Sequence, residues 1–104
     1  MFSSKLKSPQ ADELARAFLA LGTEEDCYRL FEDLFTIREI QDLSQRLEVA
    51  QLLKSQATYT EIVEKTGVST ATIGRVNRAL NYGAGGYQLV LERMRGEEKK
   101  ETEE

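Results

Sequence analysis

The chain of 104 residues contains no histidine, one cysteine and one proline. Histidine is the most common side chain in acid–base catalysis and in metal binding near neutral pH. No carboxylate pair occupies an evident pocket either, so we predict that the protein is not an enzyme and has no catalytic residues, no metal and no cofactor. Cys27, being alone, excludes a disulfide within the chain. It lies on an apolar helical stripe and is interpreted as a packing residue, with redox sensing as the alternative.

Long apolar runs are also missing, since none approaches the roughly 18 residues that a membrane-spanning helix needs. Near the beginning, the short stretch FLAL follows Asp12 and Glu13. This order differs from that of a signal peptide, in which the positive segment leads directly into the apolar one. We therefore expect a cytoplasmic location and no membrane partner.

Positive charge is scarce overall, because the net charge is −4, but its distribution is uneven. The segment 96–104 holds five glutamates and two lysines, and we predict it to be an acidic disordered tail that improves solubility. Within 54–82, by contrast, four basic residues stand against two acidic ones. This local excess permits nucleic-acid binding without requiring it. The remaining length, 1–95, is that of one small helical domain.

Apolar residues recur with helical rather than alternating spacing, which predicts an all-α fold. The third predicted helix, from Thr36 to about Ser55, opens with a capping box, and its apolar residues spread over a wide arc. A helix of this kind needs more partners than a small monomer provides, so the pattern favours a homodimer. The alternative is a central helix wrapped by its own chain. A last helix is predicted at about 87–95.

The segment 58–82 has the organisation of a helix-turn-helix. A capping box at Thr58 opens a short helix, Gly67 ends it, and Ser69 is a good N-cap for a second helix. Stepping 100° per residue along the second helix predicts a buried stripe of Ser69, Ile73, Val76 and Leu80. The opposite face is predicted to carry Ala71, Gly74, Arg75, Arg78 and Tyr82.

Two small residues near two arginines leave the backbone of this helix free to approach another surface closely. That arrangement suits a helix in the major groove of DNA, where side chains near the helix N-terminus meet base edges. The free N–H groups of Thr70 and Ala71 could also meet a phosphate. Two alternatives stay open: an ordinary solvated face, and a protein-interaction module that uses the same surface to dock an acidic partner.

From Leu34 to about Glu92 the chain resembles the Trp-repressor-like superfamily, and most closely its YerC/YecD-type branch. The resemblance rests on LFTIREIQDLSQRLEVAQLL, on TYTEIVEKTGVSTATIGRVNRALNYG, and on the closing helix. It implies a six-helix Trp-repressor-like fold in an intertwined homodimer. It also implies a transcriptional regulator, a repressor that binds double-stranded DNA through the helix-turn-helix.

The family positions that approach DNA fall at the start of the short helix, in the turn and along the second helix. The resemblance thus implies DNA contacts at Thr58, Tyr59, Thr60, Ser69, Thr70, Ala71 and Gly74, with Arg75, Arg78 and Asn81 as further contacts.

In tryptophan-regulated members an indole ring lies between two arginines, which match Arg46 and Arg75, and Thr36 matches another residue of that effector pocket. This chain departs from those members at two positions. Those members have glycine where this chain has Val76, whose side chain would occupy space that the ring needs. They also have a serine where this chain has Ala79, which offers no hydroxyl. We therefore expect a regulator that is not controlled by tryptophan, and the resemblance leaves any other small-molecule effector unknown.

Overall fold

The computed structural model describes residues 2–103, with side chains through residue 97. Six helices and no strand occur in this range, as the sequence predicted. In chain order they are α1 (Pro9–Leu19), α2 (Glu24–Leu34), α3 (Ile37–Lys54), α4 (Tyr59–Thr66), α5 (Thr70–Tyr82) and α6 (Gly86–Glu103). The chain divides into two compact units, Met1–Ile40 and Gln41–Glu104. The prediction of a single domain over 1–95 stays a prediction.

The first unit contains α1 and α2, whose starts are fixed by hydroxyl caps. Ser8 Oγ accepts a hydrogen bond from the amide of Ala11 at 3.0 Å, and Thr23 caps α2 in the same way. The rings of Phe18 and Phe35 stack with centroids 6.4 Å apart. Even so, neither α1 nor α2 contains a buried residue. These amphipathic helices therefore keep much of their apolar surface accessible.

The second unit has a continuous core built from α3, the helix-turn-helix and α6. Ile62 and Ile73, from the inner faces of α4 and α5, are fully buried. The core consists of Val49, Ala50, Ile62, Val68, Ile73, Val76 and Leu91. Because residues from both α4 and α5 belong to it, the core fixes the geometry of the helix-turn-helix.

A residue other than glycine adopts the left-handed conformation where α3 ends. Gln56 has φ +71°. The amide of Ala57 donates to the carbonyl of Leu52, and that of Gln56 donates to the carbonyl of Leu53, both at 3.0 Å. This is the hydrogen-bond pattern of a Schellman motif, in which glycine is the usual residue. The cap ends α3 just before the helix-turn-helix.

The last helix is longer than predicted. It runs to Glu103 rather than ending near Arg95, and so includes most of the segment expected to be a disordered tail. Glutamate and lysine are good helix formers, and a single glycine such as Gly96 costs only about 1 kcal/mol within a helix. The side chains of 98–104 lie outside the described residues.

None of the helices in the described part of the chain combines the length and the apolar character needed to cross a bilayer.

Candidate nucleic-acid interface

The turn between α4 and α5 is held by its own hydrogen bonds. Gly67 has φ +74°, the left-handed conformation predicted for it. The Thr66 hydroxyl donates to the carbonyl of Ile62 at 2.7 Å and accepts from the amide of Val68 at 3.3 Å. Val68 is itself buried in the core. The turn is therefore anchored from both sides, and the start of α5 is held with it.

Two of the predicted DNA contacts, Thr58 and Ser69, are helix caps. Thr58 Oγ1 accepts from the amide of Glu61 at 3.2 Å and donates to its carboxylate at 3.0 Å. Ser69 Oγ accepts from the amide of Thr72 at 3.2 Å and donates to the Thr72 hydroxyl at 3.1 Å. Both hydroxyls thus have partners within the protein, and their first role is to fix the helix starts.

The placement of Ser69 corrects one part of the predicted stripe. Ile73, Val76 and Leu80 are buried as expected, but Ser69 is exposed. An N-cap residue has an extended backbone, so its side chain does not follow the helical spacing that placed it inward.

The predicted outward face of α5 is largely open to solvent. Ala71, Arg75 and Arg78 are exposed, and Tyr82 is 87% exposed. Gly74 is half-buried, and a Cβ atom added there would meet nothing within 4 Å. Tyr59, Thr60 and Thr70, three further predicted contacts, are exposed as well. The structure therefore brings the starts of α4 and α5 and the outward face of α5 to accessible positions.

Arg75 and Arg78 carry the positive charge of this face. All the ion pairs found among residues 2–97 lie in the first unit: Lys7–Asp12, Arg16–Glu13 and Arg29–Glu25. Neither arginine of α5 is among them. Two guanidinium groups that have no carboxylate partner among residues 2–97 are available to an external anion.

Asn81, another predicted contact, is bound to its own helix. Its Nδ2 donates to the backbone carbonyl of Asn77 and to Asn77 Oδ1, each at 2.9 Å. The amide group of Asn81 is therefore oriented before any ligand arrives, with its donor side turned to Asn77. This pairing was indicated only by the spacing of four residues, which places two side chains on one helix face.

The predicted effector residues Arg46 and Arg75 line one groove in the second unit. The groove has a volume of about 650 Å³, and Asp42 and Gln45 are polar residues in its wall. Val76 and Ala79 also line it, and Val76 at 4% exposure belongs mainly to the core. The groove thus remains open beside the valine that was expected to occupy the tryptophan slot.

Thr36, the third predicted effector residue, belongs to the first unit and caps α3. Its hydroxyl accepts from the amide of Glu39 at 3.1 Å, and its amide donates to the Glu39 carboxylate at 2.9 Å. The hydrogen bond from the Thr36 amide, with a second from its hydroxyl, holds the pKa of Glu39 below its ordinary value. The assignment of Thr36, Arg46 and Arg75 to an effector site stays a prediction.

No group of three or more cysteine, aspartate or glutamate side chains that could hold a metal ion occurs among the described residues.

Comparison with known proteins identifies the family of this chain. Residues 9–95 match the model of the Trp repressor protein family. The chain belongs to this family. It is 50% identical over 99 residues to the uncharacterised protein YerC of Bacillus subtilis strain 168, and the match covers 95% of this chain and 90% of YerC.

Solved structures of other Trp repressor family proteins agree. A candidate Trp repressor from Staphylococcus aureus superposes with a TM-score of 0.83 at 48% identity, covering 88% of this chain and 91% of that one. A TrpR-like protein from Eubacterium eligens gives a TM-score of 0.82 at 53% identity, covering 86% and 93%. These matches confirm the family and the all-α fold predicted from the sequence. Membership of the Trp repressor family also indicates a helix-turn-helix regulator that binds DNA.

Proposed function

We propose that the protein is a homodimeric, sequence-specific transcriptional repressor that binds operator DNA through the outward face of α5. The observation that carries the proposal is the pair Arg75 and Arg78, exposed and without ion-pair partners among residues 2–97, on a helix whose start is capped and exposed. Phosphate contacts by such arginines supply affinity, and contacts to base edges supply specificity.

The small residues of α5 support a close approach to the bases. Ala71 has only a methyl group, and the space over Gly74 is empty to 4 Å. Arg78 lies one helical turn beyond Gly74, so the two small residues and the arginine share one exposed side. A helix with this surface can lie deep in the major groove, with Arg78 reaching a base edge or a phosphate.

The dimer is supported by apolar surface that the chain does not cover. The helices α1 and α2, both fully described, have no buried residue. Leu19 is 83% exposed and Ile37 is 80% exposed. Other large apolar side chains that remain exposed include Leu14, Phe18, Tyr28, Leu34, Leu43, Leu89, Val90 and Met94. Extended exposed apolar surface on a small chain is typical of an interface, and a second copy buries it symmetrically.

A homodimer presents two copies of α5, and successive major grooves on one side of DNA lie about 34 Å apart. The operator is therefore an inverted repeat whose half-sites are about one helical turn apart. In sedimentation experiments the protein should behave as twice the chain mass of 11.8 kDa at low micromolar concentration. A stable monomer under those conditions contradicts the dimer.

Selection from a library of random duplexes tests DNA recognition without knowledge of the operator. We expect enrichment of one inverted repeat whose half-sites lie about one helical turn apart. Chromatin enrichment in the source organism should recover the same sequence. Failure to enrich any sequence above the input library contradicts a sequence-specific regulator and favours the protein-docking alternative.

We also propose that tryptophan does not control binding. Support comes from Ala79, which lines the groove and offers no hydroxyl to a ligand. Millimolar tryptophan should leave both the melting temperature and the affinity for the selected duplex unchanged. A tryptophan-dependent rise in affinity contradicts this part of the proposal.

A further inference from the structure

Gln88 in α6 connects three helices through one side chain. Its Nε2 donates to the backbone carbonyl of Leu80 in α5 at 3.2 Å. Its Oε1 accepts a hydrogen bond from Nζ of Lys54, at the end of α3. Both ends of the amide are therefore engaged, and each joins a different helix to α6.

The carbonyl of Leu80 belongs to the last turn of α5, where backbone carbonyls have no partner within the helix. The amide of Gly83 donates to the carbonyl of Ala79, and this is the last regular helical hydrogen bond of α5. The next carbonyl, that of Leu80, has no such partner. A side chain from another helix therefore satisfies a carbonyl that would otherwise require water. Since Leu80 is buried and Gln88 is half-buried, this hydrogen bond lies at the packed side of α5.

The link between α5 and α6 makes this contact sensitive to the placement of α5. Three residues, 83–85, separate the two helices. A Cβ atom on Gly83 would come within 2.4 Å of the Ala79 carbonyl oxygen, and Gly85 has φ +86°. The connection is thus short and sterically tight. The Gln88 side chain also bonds the end of α5, at Leu80, and Lys54 of α3. The helix α5 is therefore connected to α6 both by the short backbone link and by this side chain.

We propose that Gln88 is a positioning residue for DNA recognition: it fixes the last turn of α5, and with it the side chains that meet DNA. This role rests on the proposed function. Arg78 lies two residues before Leu80 and Asn81 one residue after it, so any movement of that turn moves both. Gln88 acts through α5 without itself touching DNA.

Gln88→Glu tests the role, because glutamate keeps the acceptor for Lys54 and loses the donor to Leu80. Gln41→Glu is the matched control, since it introduces the same charge on the exposed surface of α3, at the opposite end of that helix from Lys54. The probe is the best-enriched duplex from random selection, compared with a shuffled duplex of the same composition. If Gln88→Glu does not fold, Gln88→Met, which has a similar volume and cannot form either hydrogen bond, takes its place.

The readout is the ratio of the affinity for the selected duplex to the affinity for the shuffled duplex. A lower folded fraction reduces both affinities equally and leaves this ratio unchanged. For Gln88→Glu we expect this ratio to fall roughly five- to tenfold, as for loss of one hydrogen bond. The salt dependence of binding to the shuffled duplex should match that of Gln41→Glu. A ratio equal to that of Gln41→Glu overturns the positioning role.

Hydrogen exchange in the free protein separates this proposal from the proposed function. Amides 81–83 should exchange faster in Gln88→Glu than in Gln41→Glu, because the last turn of α5 loses its hydrogen bond to α6. Unchanged exchange overturns the positioning role even when the wild-type protein binds DNA. A wild-type protein that binds both duplexes equally overturns the proposed function, and the recognition role with it, whatever the exchange shows.

Discussion

Ser69 Oγ lies 3.2 Å from the backbone nitrogen of Thr72 and accepts its hydrogen bond, so the residue predicted to contact DNA is also the N-cap of α5. Capping and DNA binding make different demands on this position. A cap needs a side-chain oxygen, which serine, asparagine and aspartate all supply. An approaching phosphate, in contrast, is repelled by a carboxylate.

Ser69→Asn and Ser69→Asp therefore separate the two roles. Both should stay within about 0.5 kcal/mol of the wild type in free energy of unfolding, because both side chains cap well. Only Ser69→Asp should lose DNA affinity, by roughly tenfold or more, since the added charge faces the phosphates. Chemical denaturation measures the first effect and titration of labelled duplex the second. Equal DNA affinities of the two variants would show that Ser69 does not lie near the DNA backbone.

Arg78→Ala should weaken DNA binding and leave the fold intact, because the side chain is exposed and outside the core. If Arg78 contacts a phosphate, the slope of log affinity against log salt should become shallower by about 0.9. If it contacts a base, discrimination at one position should relax, with a loss of about 1–3 kcal/mol. Arg93→Ala, which removes an exposed arginine from α6, is the charge-matched control. An affinity no lower than that of the control would remove Arg78 from the interface.

Gln56→Gly should stabilise the protein, since Gln56 holds φ +71°, a conformation that glycine adopts without a Cβ clash. The expected gain in free energy of unfolding is about 1 kcal/mol, reduced somewhat by the greater freedom of glycine in the unfolded chain. Gln51→Gly, in the interior of α3, should instead lose about 1 kcal/mol. Urea denaturation of the two variants measures both effects. A destabilised Gln56→Gly would mean that the Gln56 side chain contributes more than its backbone conformation costs.

The capping box of α3 should make stability depend on pH. Hydrogen bonds from Thr36 lower the pKa of Glu39 in the folded protein, so its stabilising contribution is complete above the pKa that the group has in the unfolded chain. The contribution should be lost as the pH falls through the lower folded value. Glu39→Gln should therefore be less stable than the wild type at pH 7, and the difference should shrink toward pH 3. Glu48→Gln, elsewhere on α3, controls for loss of a carboxylate; the same pH dependence in both variants would contradict a role specific to Glu39.

Local signals in the sequence were sufficient to predict the helices and the helix-turn-helix. Thr58 and Glu61 form the expected capping box, and Gly67 takes the expected left-handed conformation, because both features depend on residues close together in the chain. Features that depend on packing were not predictable in this way. The bridge from Lys54 through Gln88 to Leu80 joins three separate helices, and no spacing in the sequence indicates it.

Other differences between the predictions and the structure have local causes. The last helix, predicted at about 87–95, continues to Glu103, because the glutamates and lysines that follow Gly96 favour a helix. Ser69 was placed on the buried stripe by helical spacing, although a cap residue lies outside the helix proper. Asn81, a DNA contact implied by the family resemblance, donates its amide to Asn77 within the same helix, and the DNA contact stays a prediction.

The most direct test of the central claim compares the affinity of the protein for the selected inverted repeat with its affinity for a shuffled duplex, over a range of salt concentrations. At near-physiological salt, the protein should prefer the inverted repeat roughly a thousandfold or more. The logarithm of the affinity should fall linearly with the logarithm of the salt concentration, as counterions are released from the phosphates. Equal affinity for the two duplexes at near-physiological salt would contradict sequence-specific recognition through α5.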